Sequence, residues 1–169
     1  MVIIDGSNLY FKLKSLNCKG LTDFNYAGFI ASLISQKTVL KMKYYIGAIR
    51  TDGSKKSLEM FRQQRKLLAN LKKQKIEYSL GYLLKSGRKF SEKGVDVQMA
   101  VDILRGAYKN EYDQVFIISS DSDLIPAIEE AQISGKEVVY VGFKHQPSYA
   151  LLKTCKRSIL LDKNDIKEF

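Results

Sequence analysis

The 169 residues suit one compact domain, and the 45% apolar and 27% charged content is ordinary for a globular protein, while two prolines and eleven glycines exclude collagen-like and low-complexity chains. No apolar run approaches the roughly 20 residues that span a bilayer, so membrane partners are excluded. The net charge of +10 is concentrated, because residues 55–93 hold twelve basic and three acidic side chains, a net of +9, against +1 for the remainder.

The opening Met1-Val-Ile-Ile-Asp5 has neither a basic n-region nor a long apolar h-region. The expectation is a chain without a secretory signal and a cytoplasmic location. Met1 to Ile4 reads as a β-branched strand closed by the Asp5-Gly6 turn signal. Tyr10 to Leu16 reads as a short helix, and Phe24 to Ile34 as a clearer one with apolar residues at helical spacing. Tyr44 to Ile49 is a strand, broken by Thr51-Asp52-Gly53-Ser54. Leu58 to Leu71 aligns Leu58, Phe61, Arg65, Leu68 and Leu71 in one stripe of a long basic amphipathic helix.

Ile76 to Leu84 follows as a strand, with Lys85-Ser86-Gly87-Arg88 as a hairpin or loop tip. Val95 to Tyr108 is a helix entered through Lys93-Gly94. Val115 to Ser119 is a compact strand, Asp123 to Ser134 a helix ended by Gly135, and Val138 to Val141 a strand. Ser148 to Lys153 and Ile159 to Leu161 complete the series as a short helix and a last strand. No internal repeat or linker interrupts it, so a single domain is expected over 1–169, with 144–169 as its C-terminal extension.

Strands alternating with helices predict an α/β fold, a three-layer αβα sandwich around a mostly parallel sheet. The short continuous apolar strands agree, since strands covered on both faces lose their in/out alternation. Ligands of such sheets bind at the carboxyl ends of the strands. Two strands end directly in acids there, one in Asp5 and one in Asp121-Ser-Asp123, and Asp96 at the start of a helix can join them. Each acid alone has a structural role open to it, as a turn residue or a helix cap. Together, several carboxylates on one edge repel and require a cation or a shared proton.

The chain offers Cys18, Cys155 and His145 as its only Cys and His residues, too few for a zinc site of about four ligands. A disulfide between the two thiols is open in principle, but they read first as buried or idle thiols of a reducing compartment. A hard, oxygen-liganded Mg²⁺ or Mn²⁺ ion fits the acids instead. Asn8 is suited either to a phosphate oxygen or metal-held water, or to capping the helix after it. Ser119 and Ser120 either donate to an anion or satisfy the turn, and Asp102 supports the acids or is a surface charge. The basic segment is either a solvated face or a polyanion surface, and its lopsided charge favours nucleic acid.

Three motifs carry a family resemblance. Asp5-Gly-Ser-Asn8-Leu-Tyr10, Lys93-Gly-Val-Asp96-Val97 with Asp102, and Ser119-Ser-Asp121-Ser-Asp123-Leu-Ile-Pro126, in this order, resemble NYN domains, relatives of the PIN-like nucleases, of the LabA-like branch. The resemblance runs from residue 1 to about Phe143. It implies a PIN-like, Rossmann-like fold and a metal-dependent endoribonuclease in which Asp5, Asp96, Asp121 and Asp123 hold Mg²⁺ or Mn²⁺, with Asn8 beside them. It also implies 5′-phosphate and 3′-hydroxyl products. RNA is then the expected partner, with Ser120, Lys55, Lys56, Arg62, Arg65, Lys66, Arg88 and Lys93 on its phosphates; a homodimer is left open. Tyr10, Phe11 and Tyr82 are candidates for stacking on bases or for the core.

The alternative from another class is an RNA-binding or regulatory module that keeps the fold without turnover. A small-molecule phosphatase is disfavoured because Asp5 is followed by Gly-Ser-Asn and the basic segment would have no use. No G-x-x-x-x-G-K-[ST] loop, strand-borne G-x-G-x-x-G or G-x-S-x-G elbow is present, which leaves the corresponding kinase, dehydrogenase and hydrolase chemistries without support.

Overall fold

The structure is a computed structural model that describes residues 1–18, 20–34, 41–86 and 89–169, with 83–86 and 89–92 as backbone only. Its elements in chain order are β1 (Val2–Asp5), α1 (Gly6–Ser15), α2 (Tyr26–Ile34), β2 (Met42–Gly47), α3 (Lys55–Lys73), β3 (Glu77–Ser86), β4 (Lys89–Lys93), α4 (Val95–Tyr108), β5 (Gln114–Ile118), α5 (Ile125–Ile133), β6 (Glu137–Phe143), α6 (Tyr149–Thr154) and β7 (Arg157–Leu161). A 3-10 turn, Ser122–Leu124, precedes α5.

Among the described residues one sheet runs in the order β4-β3-β2-β1-β5-β6-β7. Six strands are parallel and β4 alone runs antiparallel, against the far half of β3. This is the α/β fold expected. Its order has one decisive feature: β1 lies between β2 and β5, so the chain leaves β1 toward one side and later returns on the other. Neighbouring loops therefore diverge between β1 and β5, the switch point at which open parallel sheets bind ligands.

Both faces are covered. Ile4, Tyr44, Ile118 and Val141 pack with Leu9 and Leu13 of α1, Phe29 and Ile30 of α2, and Leu67 and Leu71 of α3. Ile3, Tyr45, Ile117 and Tyr140 pack on the other face with Met99 and Ile103 of α4, Ile128 of α5 and Leu151 of α6. Successive residues of one strand thus serve two cores, which is why β1 and β5 read as unbroken apolar runs.

Two expectations change and a third is decided. Helix α1 starts at Gly6, not Tyr10, because Asp5 caps it and no turn intervenes. Helix α3 buries Gln64, Leu67 and Leu71, whereas Leu58 and Arg65 of the expected stripe are exposed. Its face is rotated because Gln64 must be inside: its amide donates to the Gly47 carbonyl at 2.6 Å and accepts from the Ile49 N–H at 2.8 Å, closing the end of β2. Strand β4 resolves the hairpin-or-loop alternative at 85–88 toward a hairpin, although Lys-Phe-Ser-Glu-Lys has no apolar run and pairs through its backbone with β3.

Candidate acidic site at the switch point

Asp5 ends β1 and caps α1. Its Oδ1 accepts the Asn8 N–H at 2.9 Å, so the carboxylate completes the first turn of the helix that follows. The turn is this tight because residue 6 is glycine. A Cβ there would collide with the Tyr44 ring and stand 2.7 Å from the Tyr45 carbonyl oxygen, so any larger residue would push α1 off β2. The Asp5-Gly6 pair is therefore a packing device at the root of the site.

One hydrogen-bonded chain crosses the switch point. Ser119, buried just past β5, donates its hydroxyl to Asp5 Oδ2 at 2.8 Å and accepts the Asp121 N–H at 3.1 Å. Asp121 in turn accepts the Asp123 N–H at 2.9 Å and caps the 3-10 turn. The structure thus brings Asp5, Asp121 and Asp123 to one edge through Ser119. Ser120 points elsewhere, its hydroxyl 3.3 Å from the Tyr140 hydroxyl.

Asp96 arrives from the opposite layer, in the first turn of α4. Gly94 caps that helix in the left-handed region, at φ 85°, without a side-chain acceptor for the helix N–H groups. The electrostatics show that the four acids share one field. Burial pushes the Asp96 carboxyl up, and Asp121, Asp5 and Asp123 push it further. Asp5 is also raised, by burial first and by Asp121 in addition, against the pull of hydrogen bonds from Asn8, Ser119 and Ser7.

A hard divalent ion fits this donor set in kind: carboxylate oxygens that repel one another. Among the described residues no group of three or more His, Cys, Asp and Glu side chains stands together as a metal site. Carboxylates so arranged suit an ion that keeps several of its waters, as Mg²⁺ does.

The basic residues divide. Lys55 and Lys56 open α3 at the carboxyl edge, and Lys93 is exposed just before Gly94; Arg62, Arg65 and Lys66 are exposed further down α3. Arg88 lies outside the described residues. Tyr10, Phe11 and Tyr82 are 43%, 66% and 74% exposed and so are not core.

Asp102 belongs to a different place. It pairs with Lys43 at 2.6 Å, accepts the Tyr45 hydroxyl at 2.7 Å and meets Gln98 at 3.1 Å and Arg105 at 3.5 Å. These contacts rivet α4 to β2 beside a cavity of about 250 Å³ lined by Lys41, Arg105 and Lys109.

Comparison with known proteins agrees with this architecture. A family model described as the NYN domain matches residues 1–162. An uncharacterized protein of Methanocaldococcus jannaschii is 36% identical over 63 residues, 37% of this chain and 26% of that protein, so the chain spans about a quarter of that relative's length. The crystal structure of a protein of unknown function from Vibrio parahaemolyticus superposes with a TM-score of 0.72 at 22% identity, covering 98% of this chain and 93% of that one, a likeness of fold alone.

Proposed function

The chain belongs to the NYN domain family, within the PIN-like nuclease superfamily, and on that premise we propose that it is a metal-dependent endoribonuclease acting at the switch-point acids. The observation that carries this reading is the linked set Asp5–Ser119–Asp121 with Asp96 in the same field, at the edge where parallel sheets bind ligands.

Asp5, Asp96, Asp121 and Asp123 are the residues to hold Mg²⁺ or Mn²⁺. When bound, such an ion supplies an acidified water and neutralises charge on the phosphate. The chain's own part is positional. Asp5 and Ser119 fix the orientation of Asp121, Asp96 closes the site from α4, and Asn8, in the first turn of α1 beside Asp5, donates to a phosphate oxygen. Lys55, Lys56 and Lys93 at the edge, then Arg62, Arg65 and Lys66 along α3, neutralise flanking phosphates, with Ser120 in support of the turn. Cleavage leaves 5′-phosphate and 3′-hydroxyl ends. Residues 1–169 act as one unit, since β7 extends the same sheet, in a cytoplasmic setting; among the described residues no helix is long and apolar enough to cross a membrane.

The test is cleavage of a labelled single-stranded RNA with Mn²⁺, with Mg²⁺ and with chelator, using wild type and Asp121→Asn purified in parallel. Metal-dependent cutting absent from the variant supports the reading. Because no group of three or more His, Cys, Asp and Glu side chains stands together as a metal site among the described residues, a second reading is an RNA-binding module without turnover. In that case both proteins bind RNA equally and neither cuts it.

A further inference from the structure

Strand β3, between β2 and the edge strand β4, carries an exposed row. Tyr78 and Leu80 are each 42% exposed and Tyr82 is 74% exposed, at alternate positions and hence on one face. Their parallel register beside Tyr44 and Ile46 assigns that face to the α1–α2–α3 side of the sheet. The helical cover over β3 is incomplete, so these side chains lie outside the core. Exposed aromatic and apolar side chains on a sheet edge are an aggregation hazard that soluble proteins normally blunt with charge.

The neighbouring element says what this row is for. Helix α3 turns Asn70 and Gln74 toward α2, where they bond the Phe24 carbonyl and the Ala27 N–H. Its other flank, with Phe61, Arg65 and Lys72, therefore faces the outer side of the sheet over β3. The Arg65 guanidinium lies 5.9 Å from the Phe61 ring centre. The helix carries seven basic residues and one acid, so a polyanion is the complementary occupant and a basic or neutral surface is not.

At its far end the row meets the acids. The Tyr82 ring lies against Gly94, so close that a Cβ there would be 3.3 Å from it, and Asp96 follows in the next turn. Alternate residues on a strand are about 6.6 Å apart, wider than the roughly 3.4 Å between bases stacked within a duplex strand. Only an unpaired strand with its bases splayed can use such a row.

We propose that Tyr78, Leu80 and Tyr82, flanked by the basic side of α3, form a stacking track that feeds single-stranded RNA to the acidic edge. The track deepens the nuclease reading by naming its substrate as unpaired RNA, held by base stacking independently of sequence. The β3 face supplies the apolar platform and Arg65 and Lys72 bind the phosphates.

The test separates the track from the chemistry. Anisotropy of a fluorescein-labelled single-stranded RNA, and of the same sequence as duplex, is measured in chelator with wild type, Tyr78→Ala, Tyr82→Ala and Tyr82→Trp. The expected result is a loss of single-strand affinity of roughly tenfold for each alanine, recovery in the tryptophan variant, and an unchanged, weaker affinity for duplex. Both rings are exposed enough for circular dichroism to show an intact fold in the variants. Unchanged single-strand affinity, or an equal fall for duplex, overturns the track. So does a change of self-association in sedimentation with RNA binding intact, which would make the row a protein-binding surface. Tyrosine-dependent binding without cleavage under any metal leaves the track standing and removes the nuclease reading. Cleavage with tyrosine-independent affinity does the reverse, and failure of the wild type to bind RNA removes both.

Discussion

Ser119 holds Asp5 and Asp121 in register, its hydroxyl donating to the carboxylate of one at 2.8 Å and accepting the N–H of the other at 3.1 Å. A single hydroxyl thus joins the ends of two adjacent strands. Ser119→Ala leaves the buried Asp5 oxygen short of a donor and frees the Asp121 loop. The expected outcome is a fall in metal-dependent cleavage of about ten- to a hundredfold, the usual cost of removing a group that orients a metal ligand. The fold should lose only about 1 kcal/mol. Titration of cleavage rate against Mn²⁺, alongside urea unfolding, checks both.

Raised carboxyl pKa values make the acids a liability to the metal-free fold. Asp96 and Asp5 hold protons more tightly in the folded chain than in the unfolded one, through burial and through neighbouring aspartates. Such groups stabilise fully below the ordinary carboxylate range, and that contribution is lost as pH rises through their raised values. In chelator, Asp96→Asn should therefore melt a few degrees above wild type at neutral pH. The difference should shrink as pH falls and vanish only below the ordinary carboxylate range, where the Asp96 carboxyl is neutral in the folded and the unfolded chain alike. Divalent ion should raise the wild-type midpoint and leave the variant behind. Scanning calorimetry at the two pH values, with and without Mn²⁺, decides it.

Much of this site is readable in the chain because β1 and β5 are short apolar runs that end in acids. Their adjacency follows from the winding of parallel sheets. The role of Ser119 is not readable. Of two consecutive serines one faces Asp5 and the other Tyr140, and choosing between them requires the phase of the pleat. A strand buried on both faces conceals that phase. Gly6 looks like a turn residue locally, while its cause is the Tyr44 ring from another strand. The face of α3 is misread for a related reason: Gln64 is polar yet buried, because it satisfies the backbone at the end of β2.

Asp102 gives a contrast between stability and chemistry. Burial alone would raise its carboxyl, but hydrogen bonds from Lys43 and Tyr45, with the charge of Lys43, hold it below the ordinary value. A depressed carboxyl stabilises above the ordinary range, and that contribution is lost as pH falls through its lowered value. Asp102→Asn should cost about 2 kcal/mol at neutral pH by weakening the bond to the Tyr45 hydroxyl and leaving Lys43 unpaired. Cleavage per folded molecule should stay at the wild-type level. Denaturant unfolding paired with active-site-normalised rates distinguishes this from a role in the acidic site.

The basic helix makes a prediction graded by position. Helix α3 starts at the carboxyl edge and rises about 1.5 Å per residue, so Lys55 and Lys56 sit at the edge that carries the acids. Lys72 and Lys73 lie at its opposite end. A single-stranded oligonucleotide too short to leave the edge should feel only the first pair. For it, Lys55→Gln with Lys56→Gln should lower the slope of log affinity against log salt by about 1.4, near 0.7 for each phosphate no longer neutralised. The same change at Lys72 and Lys73 should leave that slope alone and reduce it only for RNA long enough to follow β3. Equal effects of the two pairs on the short strand would mean diffuse attraction in place of a directed path. A flat salt dependence in the wild type would exclude α3 as the phosphate surface.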